Sequence, residues 1–166
     1  MSKVKIQQPI VHIPSFKRWG VERDYVVEVV RRLGLELLYA GVHARYWFTD
    51  SEGCSKLIPH LLLKSDLYKK DVFTCINYAY RVWNEGSSKY GLNTWVPVIG
   101  RIPGYQPRHA WNLLLIGDAT GLNREEFLFL EPNDGFDFSD TEGLELPTYQ
   151  AFPIGENGYN GELVFL

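Results

Sequence analysis

The chain is organised around the segment from Asp71 to Trp83, which reads DVFTCINYAYRVW. Thr74 is a good N-cap residue because its hydroxyl can accept from the backbone N–H groups of a first helical turn. Apolar residues then recur at helical spacing, and Gly86 follows the last of them as a natural stop. The pattern predicts a helix with Cys75 in its first turn.

A cysteine at this place in a helix lies at the positive end of the helix dipole, which favours the thiolate over the thiol. Cys75 is therefore a candidate nucleophile, and the alternative is a buried structural cysteine. The other cysteine, Cys54, follows a stretch from Asp50 to Gly53 that has the composition of a turn. No histidine context surrounds Cys54, so we interpret it as structural.

Length and composition limit the protein class. The chain has 166 residues, of which 45% are hydrophobic and 22% charged, and this predicts a single globular domain over residues 1–166. A net charge of −3 gives no electrostatic case for nucleic acid or an anionic membrane as a partner. Two cysteines make no disulfide framework, which favours a reducing compartment. With no apolar run of membrane-spanning length and no signal core, we expect a cytoplasmic protein, and the oligomeric state stays open.

Flanking segments predict a mixed domain. Residues 1–20 are interpreted as an extended arm, in which His12 is a packing residue. Apolar spacing predicts a helix from Glu22 to Arg32, ended by Gly34. The stretch from 35 to 47 is ambiguous between a helix and a strand.

The second half of the chain has the composition of strands and turns. Strands are predicted at 94–99, 109–117 and 126–131, with a final strand at 161–166. Pro97 restricts the first of these to a sheet edge or a bulge. Residues 101–108 and 136–162 are predicted as loops because they are rich in glycine and proline. Together these elements predict an α+β fold, with N-terminal helices packed against an antiparallel sheet.

The predicted hairpin brings a histidine and a carboxylate together. His109 opens one strand and Glu131 ends the next, and in an antiparallel hairpin the start of the first strand lies beside the end of the second. A carboxylate there can hold the imidazole in one tautomer and stabilise its charged form. Cys75 supplies the missing nucleophile, since histidine-activated cysteine is a common nucleophilic pair.

Three short motifs in this order resemble the papain-like and transglutaminase-like cysteine hydrolases. They are DxFxCxxYA from Asp71 to Ala79, HAWN from His109 to Asn112, and FLFLEP from Phe127 to Pro132. In those enzymes a cysteine on a helix precedes a histidine at a strand start, and the third residue follows on the next strand. The chain most resembles the cysteine-protease domain of certain fungal chimeric lectins, in which that third residue is a glutamate followed by proline.

The resemblance implies a role for each of three residues. Cys75 becomes the nucleophile, His109 the general base and acid, and Glu131 the orienting carboxylate. Site-lining or substrate-binding roles fall to Trp111, Asn112 and Asn133. Trp111 either shields the histidine or packs in the core.

The chain departs from the family pattern in two places. In the lectin domains two acidic residues after the cysteine help to bind calcium, whereas Ile76 and Asn77 follow it here. No cofactor is therefore predicted, with calcium as the disfavoured alternative. Papain-like enzymes also place a glutamine before the cysteine as an oxyanion donor, but Lys69 and Lys70 occupy this region.

Other residues are weaker candidates. Asn133 and Asp134 are alternatives for the third role, although Asp134 precedes a glycine and fits a turn. His60 lacks a motif and is interpreted as structural, and a metal site built from His60 and His109 has only generic support. Arg108 either binds a substrate carboxylate or is solvated.

The leading hypothesis is a cysteine peptidase or amidase that acts on a protein or peptide through a thioester acyl-enzyme. In a transglutaminase-like variant an amine, rather than water, resolves the thioester. The alternative is a binding or structural protein that keeps the scaffold without turnover.

Overall fold

The computed structural model describes residues 13–39, 43–102, 105–134, 151–154 and 159–166. His12 and most of the predicted loop at 136–162 lie outside these ranges. The described helices are α1 (Arg23–Arg32), α2 (Ser51–Leu57) and α3 (Cys75–Glu85). The described strands are β1 (Trp19–Glu22), β2 (Glu36–Tyr39), β3 (Arg45–Phe48), β4 (Leu63–Lys64), β5 (Trp95–Ile102), β6 (Tyr105–Leu114), β7 (Gly117–Asp118), β8 (Gly121–Leu122), β9 (Leu128–Leu130), β10 (Asn133–Asp134), β11 (Ala151–Pro153) and β12 (Asn160–Phe165).

Two predicted helices are confirmed. Helix α1 buries Val26 and Val30 completely, which stabilises the fold by roughly 2 kcal/mol for each side chain. Gly34 follows it with a φ of 80°, a conformation that glycine adopts without strain. Helix α3 begins at Cys75 and ends before Gly86, where a π-helical turn continues to Tyr90.

The predicted turn from Asp50 to Gly53 is wrong, because α2 begins there. Asp50 is its N-cap, and its Oδ1 accepts from the backbone N–H of Gly53 at 2.8 Å. Aspartate and serine are common both in turns and at helix starts, so composition alone does not separate the two structures.

The main sheet has six strands in the order β11-β9-β6-β5-β12-β2. Neighbouring strands are antiparallel except β12 and β2, which are parallel. The fold is therefore mixed α+β with a mostly antiparallel sheet. Helix α3 packs against β5 and β6, with Trp95 and Trp111 fully buried in the core.

Pro97, predicted to need a sheet edge or a bulge, lies on β5, a strand with neighbours on both sides over most of its length. The last registered pair between β5 and β12 is Val98 with Val164, so Pro97 lies beyond that ladder. It is registered only with Asn112 on β6. An absent N–H is tolerated where the strand has a neighbour on one side only.

The predicted loop at 101–108 is wrong for the six of its residues that the structure describes, 101–102 and 105–108. Strand β5 continues to Ile102, which is registered with Tyr105 at the start of β6, so the antiparallel pairing of the two strands extends to these residues. The ambiguous stretch from 35 to 47 contains two strands in different sheets, since β2 joins the main sheet and β3 pairs with β1. The final strand is confirmed as β12. Among the described residues, no helix has the length and apolar character needed to cross a bilayer.

Candidate active site

The start of α3 fixes the position of the candidate nucleophile. Thr74 precedes the helix in an extended conformation, and its backbone N–H donates to Oδ1 of Asn77 at 2.9 Å. This capping contact places Cys75 at the first helical position, partly buried and in the positive end of the helix dipole. Asn77, the third residue of the helix, is used to cap it.

His109 and Glu131 lie together, as the hairpin geometry predicts. Strands β6 and β9 are antiparallel, with Asn112 opposite Leu130, so the residues just outside this pair converge. His109 Nε2 is 2.6 Å from Oε2 of Glu131, and the two residues are only 1% and 2% exposed. A short contact between buried groups of this kind orients the ring and stabilises its protonated form.

Cys75 lies beside this pair. Its thiol interacts with the His109 side chain and with the backbone N–H of Ala110. Because Glu131 engages Nε2, Nδ1 is the ring nitrogen left for proton exchange with the sulfur. The structure therefore brings the thiol, the imidazole and the carboxylate into one neighbourhood.

The protonation states of this series favour an ion pair. Burial acts to raise the pKa of the Cys75 thiol, but the hydrogen bond and positive charge of His109, with the Ala110 N–H, hold it below its ordinary value. Burial acts to lower the pKa of His109, yet the charge of Glu131 and the hydrogen bonds to both neighbours raise it to about 9. A proton therefore moves readily from sulfur to imidazole, which produces a thiolate beside an imidazolium.

Two further donors hold the Glu131 carboxylate. The backbone N–H of Asn133 donates to Oε1 at 3.1 Å, and the hydroxyl of Tyr159 donates to Oε2 at 3.2 Å. Sequence reasoning missed Tyr159, because it lies in a stretch with the composition of a surface loop. It is nevertheless 3% exposed, and no local pattern marks its contact with a residue on another strand.

An aromatic wall covers the buried side of the pair. Trp111 stacks on His109, with ring centroids 6.1 Å apart and an interplanar angle of 26°. It is fully buried and also packs edge-on against Phe129 and Tyr159. Trp111 thus both shields the histidine from water and belongs to the core, so the two predicted roles are compatible.

Asn112 and Asn133 have structural contacts and little surface to offer a substrate. Asn112 is fully buried, and its amide donates to the carbonyls of Ala79 on α3 at 2.9 Å and Trp95 on β5 at 3.2 Å. It therefore connects the nucleophile helix to the sheet. Asn133 is 7% exposed and lies opposite Leu63 in a short parallel pair, next to the carboxylate that its backbone binds.

The segment before Cys75 forms a closed turn. The backbone N–H groups of Lys69, Val72 and Phe73 all donate within it, and Lys69 and Phe73 exchange two hydrogen bonds of 2.8 Å. Asp71 has a φ of 63°, which is uncommon for a residue with a side chain. These three N–H groups are therefore not available to an oxyanion.

The remaining candidates lie away from this geometry. His60 is exposed on a short 3₁₀ turn at Ile58–His60, and Arg108 pairs with Glu162 at 2.9 Å. Cys54 is 1% exposed, and burial together with the charges of Asp50 and Glu126 raises the pKa of its thiol far above the ordinary value. Within the described ranges, no three histidine, cysteine, aspartate or glutamate side chains are grouped as a metal ion requires.

No protein-family model matches the chain, and a comparison with curated proteins also gives no match.

Proposed function

We propose that this protein is a cysteine hydrolase that cleaves amide bonds in proteins or peptides. The observation that carries the proposal is the buried His109–Glu131 contact at 2.6 Å with the Cys75 thiol interacting with the same imidazole, the pKa of the thiol being lowered and that of the imidazole raised. Activated cysteine nucleophiles are recognised by this geometry and these protonation states.

In the acylation step, the Cys75 thiolate attacks the carbonyl carbon of the scissile amide. A carbon–sulfur bond forms, and the carbonyl electron pair moves to oxygen. The backbone N–H of Cys75 is a donor for that oxyanion, since the first N–H groups of a helix lack intrahelical acceptors. As the tetrahedral intermediate collapses, the carbon–nitrogen bond breaks, and the His109 imidazolium gives its proton to the leaving amine.

In the deacylation step, the neutral His109 takes a proton from water as the water oxygen attacks the thioester. Collapse of the second intermediate breaks the carbon–sulfur bond and releases the carboxylic acid. The sulfur leaves as a thiolate beside the imidazolium, which restores the starting state. An amine in place of water gives the transglutaminase-like outcome, with a new amide as product.

Glu131 acts on the reaction through His109. It holds the ring in one orientation and stabilises its positive charge, and its own position is fixed by Asn133 and Tyr159. Neither step requires a metal ion, and the residues after Cys75 give calcium no acidic ligand.

The same features support the papain-like or transglutaminase-like fold as the finer description. In support of it, a nucleophile helix packs on the sheet, and the histidine and carboxylate come from neighbouring antiparallel strands. The mechanism needs a reduced sulfur, and neither Cys54 nor Cys75 is in a disulfide, which favours a reducing compartment such as the cytoplasm.

An acyl-enzyme trap tests the proposal. The protein is mixed with peptides of varied sequence from a digest of unfolded proteins. The reaction is quenched in acid after short times, and the protein and peptides are analysed by mass spectrometry. We expect an acyl adduct on Cys75 and new peptide ends in the digest. Both signals are absent in Cys75→Ser and retained in Cys54→Ala.

A wild type that forms no adduct and cleaves nothing, with Cys75 no more reactive than Cys54 toward iodoacetamide, would contradict the proposal. That result would support a scaffold without turnover. An adduct released by an added amine rather than by water would identify the transglutaminase-like variant.

A further inference from the structure

Tyr159, in the C-terminal part of the chain, contacts the candidate site. Tyr159 directly precedes β12, the strand that lies between β5 and β2 in the main sheet. Its hydroxyl donates to Oε2 of Glu131, which is the same oxygen that His109 engages at 2.6 Å. The proton donors from Tyr159 and His109 therefore meet on one carboxylate oxygen.

The ring of Tyr159 also packs against the rings of Trp111 and His109. Its centroid is 4.8 Å from that of Trp111 and 6.3 Å from that of His109, with both pairs edge-on. Because all three residues are almost completely buried, the hydroxyl donates in a dry setting. A hydrogen bond to a charged group is stronger there than at the surface.

We propose that Tyr159 is a positioning residue, which acts on Cys75 reactivity through Glu131 and His109. This inference rests on the proposed function. Oε1 of Glu131 is held by the backbone of Asn133, and the Tyr159 hydroxyl holds Oε2 against the imidazole. With both oxygens fixed, the carboxylate keeps its charge directed at His109 and supports the thiolate–imidazolium pair.

Tyr159→Phe removes the hydroxyl and keeps the ring that packs on Trp111. With Oε2 less well fixed, the ion pair forms less readily. We therefore expect Cys75 to react with iodoacetamide roughly fivefold more slowly near pH 6 and the acidic limb of its pH–rate profile to move upward. The rates converge above pH 9, where the thiol ionises without assistance.

Tyr90→Phe is the matched control. Tyr90 is 5% exposed in the turn that follows α3, so this variant also loses one hydroxyl from a largely buried tyrosine. We expect its pH–rate profile to match the wild type. Thermal unfolding of both variants measures any general loss of stability.

A double-mutant cycle with Glu131→Gln separates positioning from packing. If Tyr159 acts through Glu131, Tyr159→Phe slows labelling in the wild-type background and has little further effect in the Glu131→Gln background. An equal effect in both backgrounds, or an unchanged profile in Tyr159→Phe with a reactive wild-type Cys75, would overturn this inference alone. A wild-type Cys75 no faster than Cys54 would overturn the proposed function, and this inference with it.

Discussion

Cys54 and Cys75 both lie near the start of a capped helix, as its fourth and first residue respectively, yet their thiols have opposite environments. Cys54 follows the Asp50 cap of α2 and is buried among apolar groups and nearby carboxylates, which raise its pKa. Cys75 follows the Thr74 cap of α3, keeps some exposure and contacts His109, so its pKa is lowered.

The difference indicates that a position near a helix N-terminus does not by itself lower the pKa of a thiol. Both cysteines lie near the positive end of a helix dipole, but only Cys75 interacts with a cationic side chain. That cation comes from β6, which is distant in sequence, and it is stabilised by Glu131 after β9.

The largest contrast is expected in the wild type. At pH 7, iodoacetamide should label Cys75 on the order of a hundredfold faster than Cys54, because reaction requires an accessible thiolate. Trypsin separates the two cysteines into the peptides 46–56 and 71–81, so mass spectrometry gives both rates from one sample. Equal rates would remove the distinction between the two helices.

Removal of the His109 side chain, which supplies the cation, should return the pKa of Cys75 toward that of an ordinary thiol. In His109→Ala we expect labelling of Cys75 at pH 6.5 to fall roughly tenfold or more and to recover above pH 9, where an unassisted thiol ionises. His60→Ala is the control, since that histidine is exposed on a short turn, and it should label as the wild type does. Labelling of Cys75 in His109→Ala at the wild-type rate would mean that the helix dipole is enough to activate the thiol.

Removal of the Cys75 thiol should make the titration of His109 visible in the way the free energy of unfolding depends on pH. The pKa of this histidine rises from 6.5 to about 9 on folding, so its contribution is complete below 6.5 and is lost as the pH rises toward 9. In the wild type, Cys75 gives up a proton over part of this range, which offsets the proton that His109 retains.

Cys75→Ser abolishes that offset. We expect its free energy of unfolding, relative to the wild type, to fall by on the order of 1 kcal/mol per pH unit above pH 6.5. Cys75 contributes to the raised pKa of His109, and serine does not replace that contribution. The decrease in the free energy of unfolding therefore ends below pH 9. Urea unfolding at several pH values measures the difference, and parallel curves for the two proteins would contradict an ion pair.

The smallest effect concerns Cys54. Cys54→Ala should lower the free energy of unfolding by about 1 kcal/mol, because it removes a fully buried sulfur from the core. The rate of Cys75 labelling should stay unchanged. A reduced rate in this variant, with the fold intact by circular dichroism, would show that the two helices are coupled.

Local sequence signals predicted the parts of the site that depend on near neighbours. Helical spacing and the cap at Thr74 predicted the start of α3, and the hairpin predicted the contact of His109 with Glu131. Errors occurred where local composition is compatible with two structures. The segment at Asp50 begins a helix instead of a turn, and residues 101–102 and 105–108 extend two strands instead of forming a loop.

The sequence by itself determined where α1 lies, that α3 begins at Cys75, and that the strands of His109 and Glu131 pair, because capping and periodicity act over a few residues. Only the tertiary structure decided that β12 lies between β5 and β2, that Pro97 lies beyond the β5–β12 ladder, and that Tyr159 reaches Glu131. It also decided which cysteine meets the histidine. These contacts join segments far apart in the chain, and they follow from the packing of the sheet and helices around one core, for which no local pattern exists.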